Sequence, residues 1–209
     1  MKAKNRTPPV DLDTIMPLLI GIWRRFHKAS GPGDKLQTRE FRGVVECLKL
    51  LYDPEGKKGK EKENFPQLDT DFFADRNQLS AYILYPWVMH YQEALSLLGE
   101  LPTPPKRVLD VCSGPAPFAF AALRYGAREV IAVDINNEAL ELGAEICGRY
   151  GMPLTIRRWN CLKDHLPVEG DFDLITLGHS LAELFPSTMK NYEEKQAHFI
   201  DYLLGRLKP

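Results

Sequence analysis

From residue 107 onward, short apolar runs alternate with stretches of helical period, and this rhythm restricts the fold more than any other feature of the chain. Arg107–Val111 (RVLDV) is apolar and bounded by turn residues, as a buried strand is. Residues 117–125 are helical, Glu129–Asp134 (EVIAVD) is a second strand and residues 137–150 are a helix. Residues 153–158 predict a third strand, Phe172–Gly178 (FDLITLG) a fourth, and residues 192–207 a further helix. Strands separated by helices cannot pair as hairpins, so the pattern predicts βαβ units, right-handed crossovers and a parallel sheet of an α/β fold.

Upstream the period is helical throughout. Leu12, Ile15, Leu18, Leu19, Ile22, Trp23 and Phe26 predict an amphipathic helix over 11–29 that starts or kinks at Pro17. SGPGD (30–34) is a turn, and Thr38 is the expected N-cap of a second helix carrying Phe41, Val44, Val45, Leu48 and Leu51. DPEGKKGKEKEN (53–64) has no apolar residue and is expected as an exposed loop. Helices follow over 75–85 and from Pro86 to Leu98, before the rigid linker LPTPPK (101–106). The expected organisation is therefore an α-helical N-terminal region over 1–100 and an α/β domain over 107–209. The last residues, LLGRLKP, stand where such a sheet turns into its next strand. About four strands are expected, with C-terminal strands missing and the fourth left as an apolar edge.

Composition serves mainly to exclude. The 209 residues carry 27 Lys+Arg against 28 Asp+Glu, and no apolar run approaches the length of a membrane span. The N-terminus MKAKNRTPPVDLD lacks the apolar segment of a secretion signal, so a cytoplasmic, membrane-free protein is expected. No two of Cys47, Cys112, Cys147 and Cys161 lie closer than 14 residues, which gives no zinc-ligand spacing and predicts reduced thiols and no metal. Charge is uneven. Residues 1–62 hold 14 Lys+Arg and 8 Asp+Glu, and the remainder holds 13 and 20. A basic N-terminal arm is compatible with an RNA partner and equally with a solvated surface. The Lys57–Lys62 run, interleaved with Glu61, reads as a solvated loop.

In an open α/β sheet, ligands bind beyond the carboxyl ends of the strands beside the first of them. Here that loop is Asp110-Val-Cys-Ser-Gly-Pro-Ala-Pro117, where Gly114 permits close backbone approach and the following helix start is expected to offer free N–H groups. Asp134 ends the second strand, where an acid accepts the two hydroxyls of a ribose. The G-x-G-x-x-G of dinucleotide sites is absent, and Asp110 directly before the loop would repel a diphosphate. A nicotinamide-dependent oxidoreductase is disfavoured on that ground. A cationic nucleoside, S-adenosylmethionine, suits the charges better.

The segments V-L-D-V-C-S-G-P-A, V-I-A-V-D-I-N and W-N-C-L resemble the Rossmann-fold class I S-adenosylmethionine-dependent methyltransferases. The family pattern, acid-x-Gly-x-Gly-x-Gly, is met at Asp110 and Gly114 but holds Cys112 and Ala116 at the outer glycine positions, while Pro115 and Pro117 remove two N–H donors. The resemblance implies a Rossmann-like sheet of the methyltransferase type. It implies that Asp110 and the loop residues Cys112, Ser113 and Gly114 hold the methionine end. Asp134 would take the ribose, Ile135 would pack on the adenine, and Asn160 would bond its amino group. L-S-A-Y-I-L-Y-P-W-V-M-H-Y, the S-G-P-A loop and G-H-S-L-A-E-L are similar to the small-ribosomal-subunit-associated methyltransferase-like family, which implies an rRNA or small-subunit acceptor. A non-catalytic, S-adenosylmethionine-binding ribosome-assembly factor is the alternative.

His179 follows the fourth strand at the edge of the pocket, as a cofactor contact and a candidate general base, or as an ordinary loop histidine. Glu183 is its possible partner or simply an acid at a helix start. Tyr82, Tyr85 and Trp87 could cover a cofactor or stack on a base, and a packed aromatic helix face is the commoner arrangement. No Asn-Pro-Pro-Tyr or Asp-Pro-Pro-Tyr follows the fourth strand, and no cysteine lies in 172–185. Methylation of exocyclic base amines and covalent methylation at cytosine C5 are both disfavoured.

Overall fold

The computed structural model describes residues 12–52 and 73–208. The first eleven residues and residues 53–72, with the two ends of the basic arm expected over 1–62, the exposed loop at 53–64 and its basic run, lie outside the described residues. The chain divides into two compact units between Met89 and His90. Among the described residues, no helix is long and apolar enough to cross a membrane.

The first unit is helical. α1 (Leu12–His27) runs through Pro17 and buries Ile15, Leu19, Ile20, Ile22 and Trp23, the spacing that places residues on one helical face. α2 (Thr38–Tyr52) begins one residue earlier than the Thr38 cap implies. Glu40 reaches back to accept the Gln37 N–H at 2.7 Å, as in a capping box, so Gln37 stands at the cap and Thr38 is already helical. α3 (Arg76–Leu84) is capped by Asp75, whose carboxylate accepts the Asn77 N–H at 2.8 Å. α3 packs on both α1 and α2, with Leu79 and Ile83 fully buried. Trp87, at the start of α4 (Pro86–Leu98), is fully buried, Tyr82 sets its ring edge-on to Phe73 at 5.0 Å, and Tyr85 is exposed.

The second unit is the α/β sheet. Its strands are β1 (Arg107–Val111), β2 (Glu129–Asp134), β3 (Thr155–Arg158) and β4 (Leu174–Thr176). They are all parallel, in the order β3-β2-β1-β4. β3 and β4 are shorter than the apolar runs suggest, because neighbours share ladder bonds only over those residues. Alternation along β1 and β2 decides the layers. Leu109, Val111, Ile131 and Val133 pack with Phe199 and Leu203 of α8 (Tyr192–Leu204) on one face. On the other face, Val108, Asp110, Val130 and Ala132 meet α5 (Pro117–Tyr125) and α6 (Asn137–Arg149). Each fully buried aliphatic side chain in these layers contributes about 1.5–3 kcal/mol.

α8 stops at Leu204, three residues before the expected end. Arg206 O then accepts the Phe172 N–H, and the Lys208 N–H reaches Phe172 O at 3.0 Å, making a parallel bridge of Leu207 with Phe172. The edge expected to be open is therefore paired at its beginning. Asp173 reinforces that end by accepting the Lys106 and Arg107 N–H groups and pairing with Lys208 at 2.8 Å.

Candidate functional site

β1 lies between β2 and β4, so the strand order reverses beside it, and the carboxyl end of such a strand is where open α/β sheets bind ligands. The loop from Cys112 to Ala116 fills this position in an unusual backbone form. Cys112, Gly114 and Ala116 have φ of 53°, 52° and 60°, in the left-handed region that costs any residue with a Cβ about 1–2 kcal/mol. The fold holds the loop there from both sides. A Cβ on Gly143 of α6 would stand 2.7 Å from Ala116 Cβ and 2.9 Å from the Pro115 carbonyl carbon, so α6 presses directly on the loop. Gly143 was not legible as a site residue, because it lies inside an ordinary helical period.

Three N–H donors of this loop are already committed. Ser113 N–H bonds Val133 O at 3.1 Å, Ala116 N–H bonds Ser113 O at 2.8 Å, and Gly114 N–H bonds Asp134 Oδ2 at 2.8 Å. Pro115 and Pro117 have none to give. At the start of α5, Ala119 N–H bonds Asp110 Oδ2 at 3.0 Å and Phe120 N–H bonds Ala116 O. The helix start expected to offer free N–H groups is thus capped from below by Asp110, and these donors do not form an anion cradle. Two buried acids, Asp110 and Asp134, instead underlie the loop, a charge arrangement that suits a cation better than a diphosphate.

Asp110 is fully buried, and its Oδ1 accepts the Thr176 hydroxyl at 2.6 Å. Burial pushes its pKa up to about 7, against the hydrogen bonds from Thr176 and Ala119, with the nearby Asp134 charge adding to the rise. The carboxylate ties β1, β4 and α5 together, and a cationic ligand would stabilise its charged form. Asp134 is also buried, with its second oxygen accepting the Asn136 N–H at 2.8 Å. Its two oxygens thus fix the backbone of the loop after β1 and of the turn before α6. Ser113 Oγ is buried without a hydrogen-bond partner in the protein. An orphaned hydroxyl in such a loop costs about 1–3 kcal/mol until something bonds it, and it fits the carboxylate or amine of an amino-acid tail.

The remaining residues divide. Ile135 is half-buried beside Asp134 and its carbonyl accepts Arg158 Nε at 3.1 Å. Asn160 uses its side-chain oxygen to accept the Leu162 N–H at 3.2 Å, and its carbonyl accepts from Lys163 and Asp164. It organises the turn after β3 as an Asx residue does. Cys112 and Cys161, 49 residues apart in sequence, meet with their sulfurs 3.9 Å apart, and the neighbouring thiol together with burial pushes the Cys112 pKa up. Ser180 Oγ donates to Gly178 O at 2.9 Å and approaches Cys112 O at 3.4 Å, joining the loops after β1 and β4.

His179 sits in the left-handed region (φ 59°), and its Nε2 lies 2.6 Å from Glu93 Oε2. The carboxylate bonded to His179 therefore comes from α4. Glu183 occupies the first turn of the four-residue helix α7 (Leu181–Leu184), where its N–H bonds Ser180 O. The His90 ring stacks on His179 with centroids 4.3 Å apart. Burial lowers the His90 pKa, with the facing His179 adding to that and Glu93 opposing it. Glu93 and His90 escaped the sequence reading because 86 residues separate Glu93 from His179.

Residues 108–197 match the family described as "Methyltransferase domain". A ribosomal protein L11 methyltransferase of Symbiobacterium thermophilum is 40% identical over 78 residues, covering 37% of this chain and 25% of that protein. The same enzyme of Lactobacillus delbrueckii subsp. bulgaricus is 32% identical over 123 residues, covering 54% of this chain and 38% of the relative. Its counterpart in Geobacter sulfurreducens is 42% identical over 64 residues, covering 31% and 20%. The chain thus spans well under half the length of these curated relatives. Over residues 108–197 the chain is thus similar to a methyltransferase domain, and the relatives it matches there are methyltransferases.

Proposed function

We propose that the α/β unit binds S-adenosylmethionine in the crevice between the loops after β1, β2 and β4 and transfers its methyl group to a ribosomal component. The observation that carries this reading is the committed state of the loop: its N–H donors turn inward onto Asp134 and neighbouring carbonyls while Asp110 lies buried below. Asp134 orients the ribose, Ser113 Oγ bonds the amino-acid tail, and Ile135 covers the adenine. Asn160, occupied with its own turn, shapes the adenine edge. Cys112 and Gly114 act through their backbone conformation. The bound donor supplies an electrophilic methyl group on a sulfonium. An in-line displacement of this kind gains most of its rate from positioning the acceptor. His179, in the loop after β4, would meet the acceptor.

The relatives are named for a ribosomal protein acceptor, and this favours a protein acceptor over an RNA base. The finer resemblance to the small-subunit-associated family keeps the ribosome as the target and leaves rRNA as the second reading. Calorimetric titration with S-adenosylmethionine and S-adenosylhomocysteine, with NADH as control, tests the donor site. Micromolar binding of the first two alone is expected, and a folded chain that binds neither overturns the proposal. Radiolabelled methyl transfer to ribosomal subunits, followed by separate nuclease and protease digestion, then assigns the acceptor. Donor binding without label on any ribosomal fraction would favour the non-catalytic assembly factor.

A further inference from the structure

The side chains of His90, Glu93 and His179 form a cluster that the donor-binding loop does not use. One ring nitrogen from each histidine and one carboxylate oxygen all lie within 4.8 Å of one another. Three features of the fold assemble them. His90 and Glu93 are three residues apart on α4 and so project from one helical face. Gly178 lies so close to Phe118 that a Cβ there would stand 2.4 Å from the ring, which fixes where the chain leaves β4. The next residue, His179, takes the left-handed backbone that asparagine or glycine would adopt more cheaply, and this turns its imidazole onto α4. The Phe118 ring stands 6.4 Å from both imidazoles and supplies an apolar wall.

We propose that His90, Glu93 and His179 bind a divalent transition-metal ion of the zinc class. Two neutral imidazoles and one carboxylate form the donor set of three-ligand zinc sites, which keep a fourth position open for a water or a substrate atom. Around a tetrahedral ion with bonds of about 2.0–2.1 Å, ligand atoms stand roughly 3.3 Å apart. The Glu93 and His179 ligand atoms, now 2.6 Å apart, would have to open slightly to admit the ion. The two imidazoles are 16° from parallel, so one ring must turn about its Cβ–Cγ bond before both nitrogens point at one ion. The His179 side chain is 51% exposed and Glu93 46%, which leaves room for that rotation. At the fourth position the ion would hold a water or an acceptor hydroxyl, whose proton it would make easier to remove before methyl transfer. That role rests on the methyl-transfer reading; the metal affinity does not.

The test uses the full chain with Zn²⁺ or Co²⁺ alone, without a methyl donor. Calorimetry is expected to give one site of micromolar affinity or tighter, with the visible d–d band of four-coordinate cobalt. His90→Ala, Glu93→Gln and His179→Asn should each weaken binding by about tenfold or more. Asparagine suits the left-handed backbone, so the last change removes the imidazole without disturbing the loop. The triple variant measures binding by His27, His165, His198 and the thiols. A wild-type isotherm that coincides with the triple variant's overturns the proposal, as does a cobalt spectrum unaffected by all three changes. Far-UV circular dichroism checks that each variant is folded, which these partly exposed side chains allow. S-adenosylmethionine titrated separately keeps the two readings apart, since either can fail while the other stands.

Discussion

The helical unit and the α/β unit both bury polar groups, and they treat them in opposite ways. In the helical unit every such group named here is closed off locally. Arg24 donates to both oxygens of Glu40 at 3.0 and 2.9 Å, to Lys35 O at 2.8 Å and to Pro32 O, and the guanidinium holds the Glu40 carboxyl down to about 2. His27 Nε2 lies 2.8 Å from Ser80 Oγ, which donates to Asn77 O. The one left-handed residue with a side chain among the described residues of this unit, Lys28, simply ends α1. In the α/β unit, by contrast, a carboxyl with a raised pKa, a hydroxyl without a partner and three left-handed non-glycine residues gather at the carboxyl ends of the strands. Buried polarity that is fully matched builds structure. Polarity left strained or half-matched marks a place prepared for a ligand.

Substitutions on the two sides should therefore separate affinity from stability. The largest loss of S-adenosylmethionine affinity is expected from Asp134→Ala, about a hundredfold or more, because it removes the proposed ribose acceptor and also strands the Gly114 and Asn136 N–H groups. Calorimetry on the folded variant measures it, and unchanged affinity would move the ribose elsewhere. Gly143→Ala comes next. Its methyl group meets Ala116 and the Pro115 backbone, so the loop must shift, with about tenfold weaker binding and a stability cost of roughly 1–3 kcal/mol read from denaturant unfolding.

Asp110 predicts a smaller effect that depends on pH. Its folded pKa of about 7 stands above the unfolded 3.8, so its stabilising contribution is complete below about pH 4 and is lost as pH rises towards 7. A bound cation favours the ionised form. Donor affinity should then rise by up to about tenfold between pH 5.5 and 8, with proton release that shows in calorimetry across buffers of different ionisation enthalpy. Asp110→Asn should abolish the proton release.

The smallest effect on affinity is expected from Arg24→Met, less than about twofold, although it leaves Glu40 without its partner. The thermal midpoint should fall by roughly 5–10 °C. A parallel collapse in donor affinity would break the distinction between the two units.

Much of this was legible beforehand, for reasons that lie in local chemistry. Four apolar runs between helical stretches are enough to specify a parallel sheet, since neither a hairpin nor a polar face suits them. Asp110, Gly114 and Asp134 could be picked out because the ends of the first two strands are predictable positions. The ends of β3, β4 and α8 were not, because ladder bonds to neighbours set them. The bridge of Leu207 to Phe172 was missed for the same reason.

The sequence by itself determined the α/β rhythm, the helical region before it and the acid-bearing loop, because propensity, period and turn chemistry act over a few neighbouring residues. Only the tertiary structure decided that the loop's N–H groups face inward, that Gly143 admits the loop against α6, and that Glu93 rather than Glu183 bonds His179. Those outcomes depend on groups brought within 3 Å from positions up to 86 residues apart, and no local pattern carries that distance.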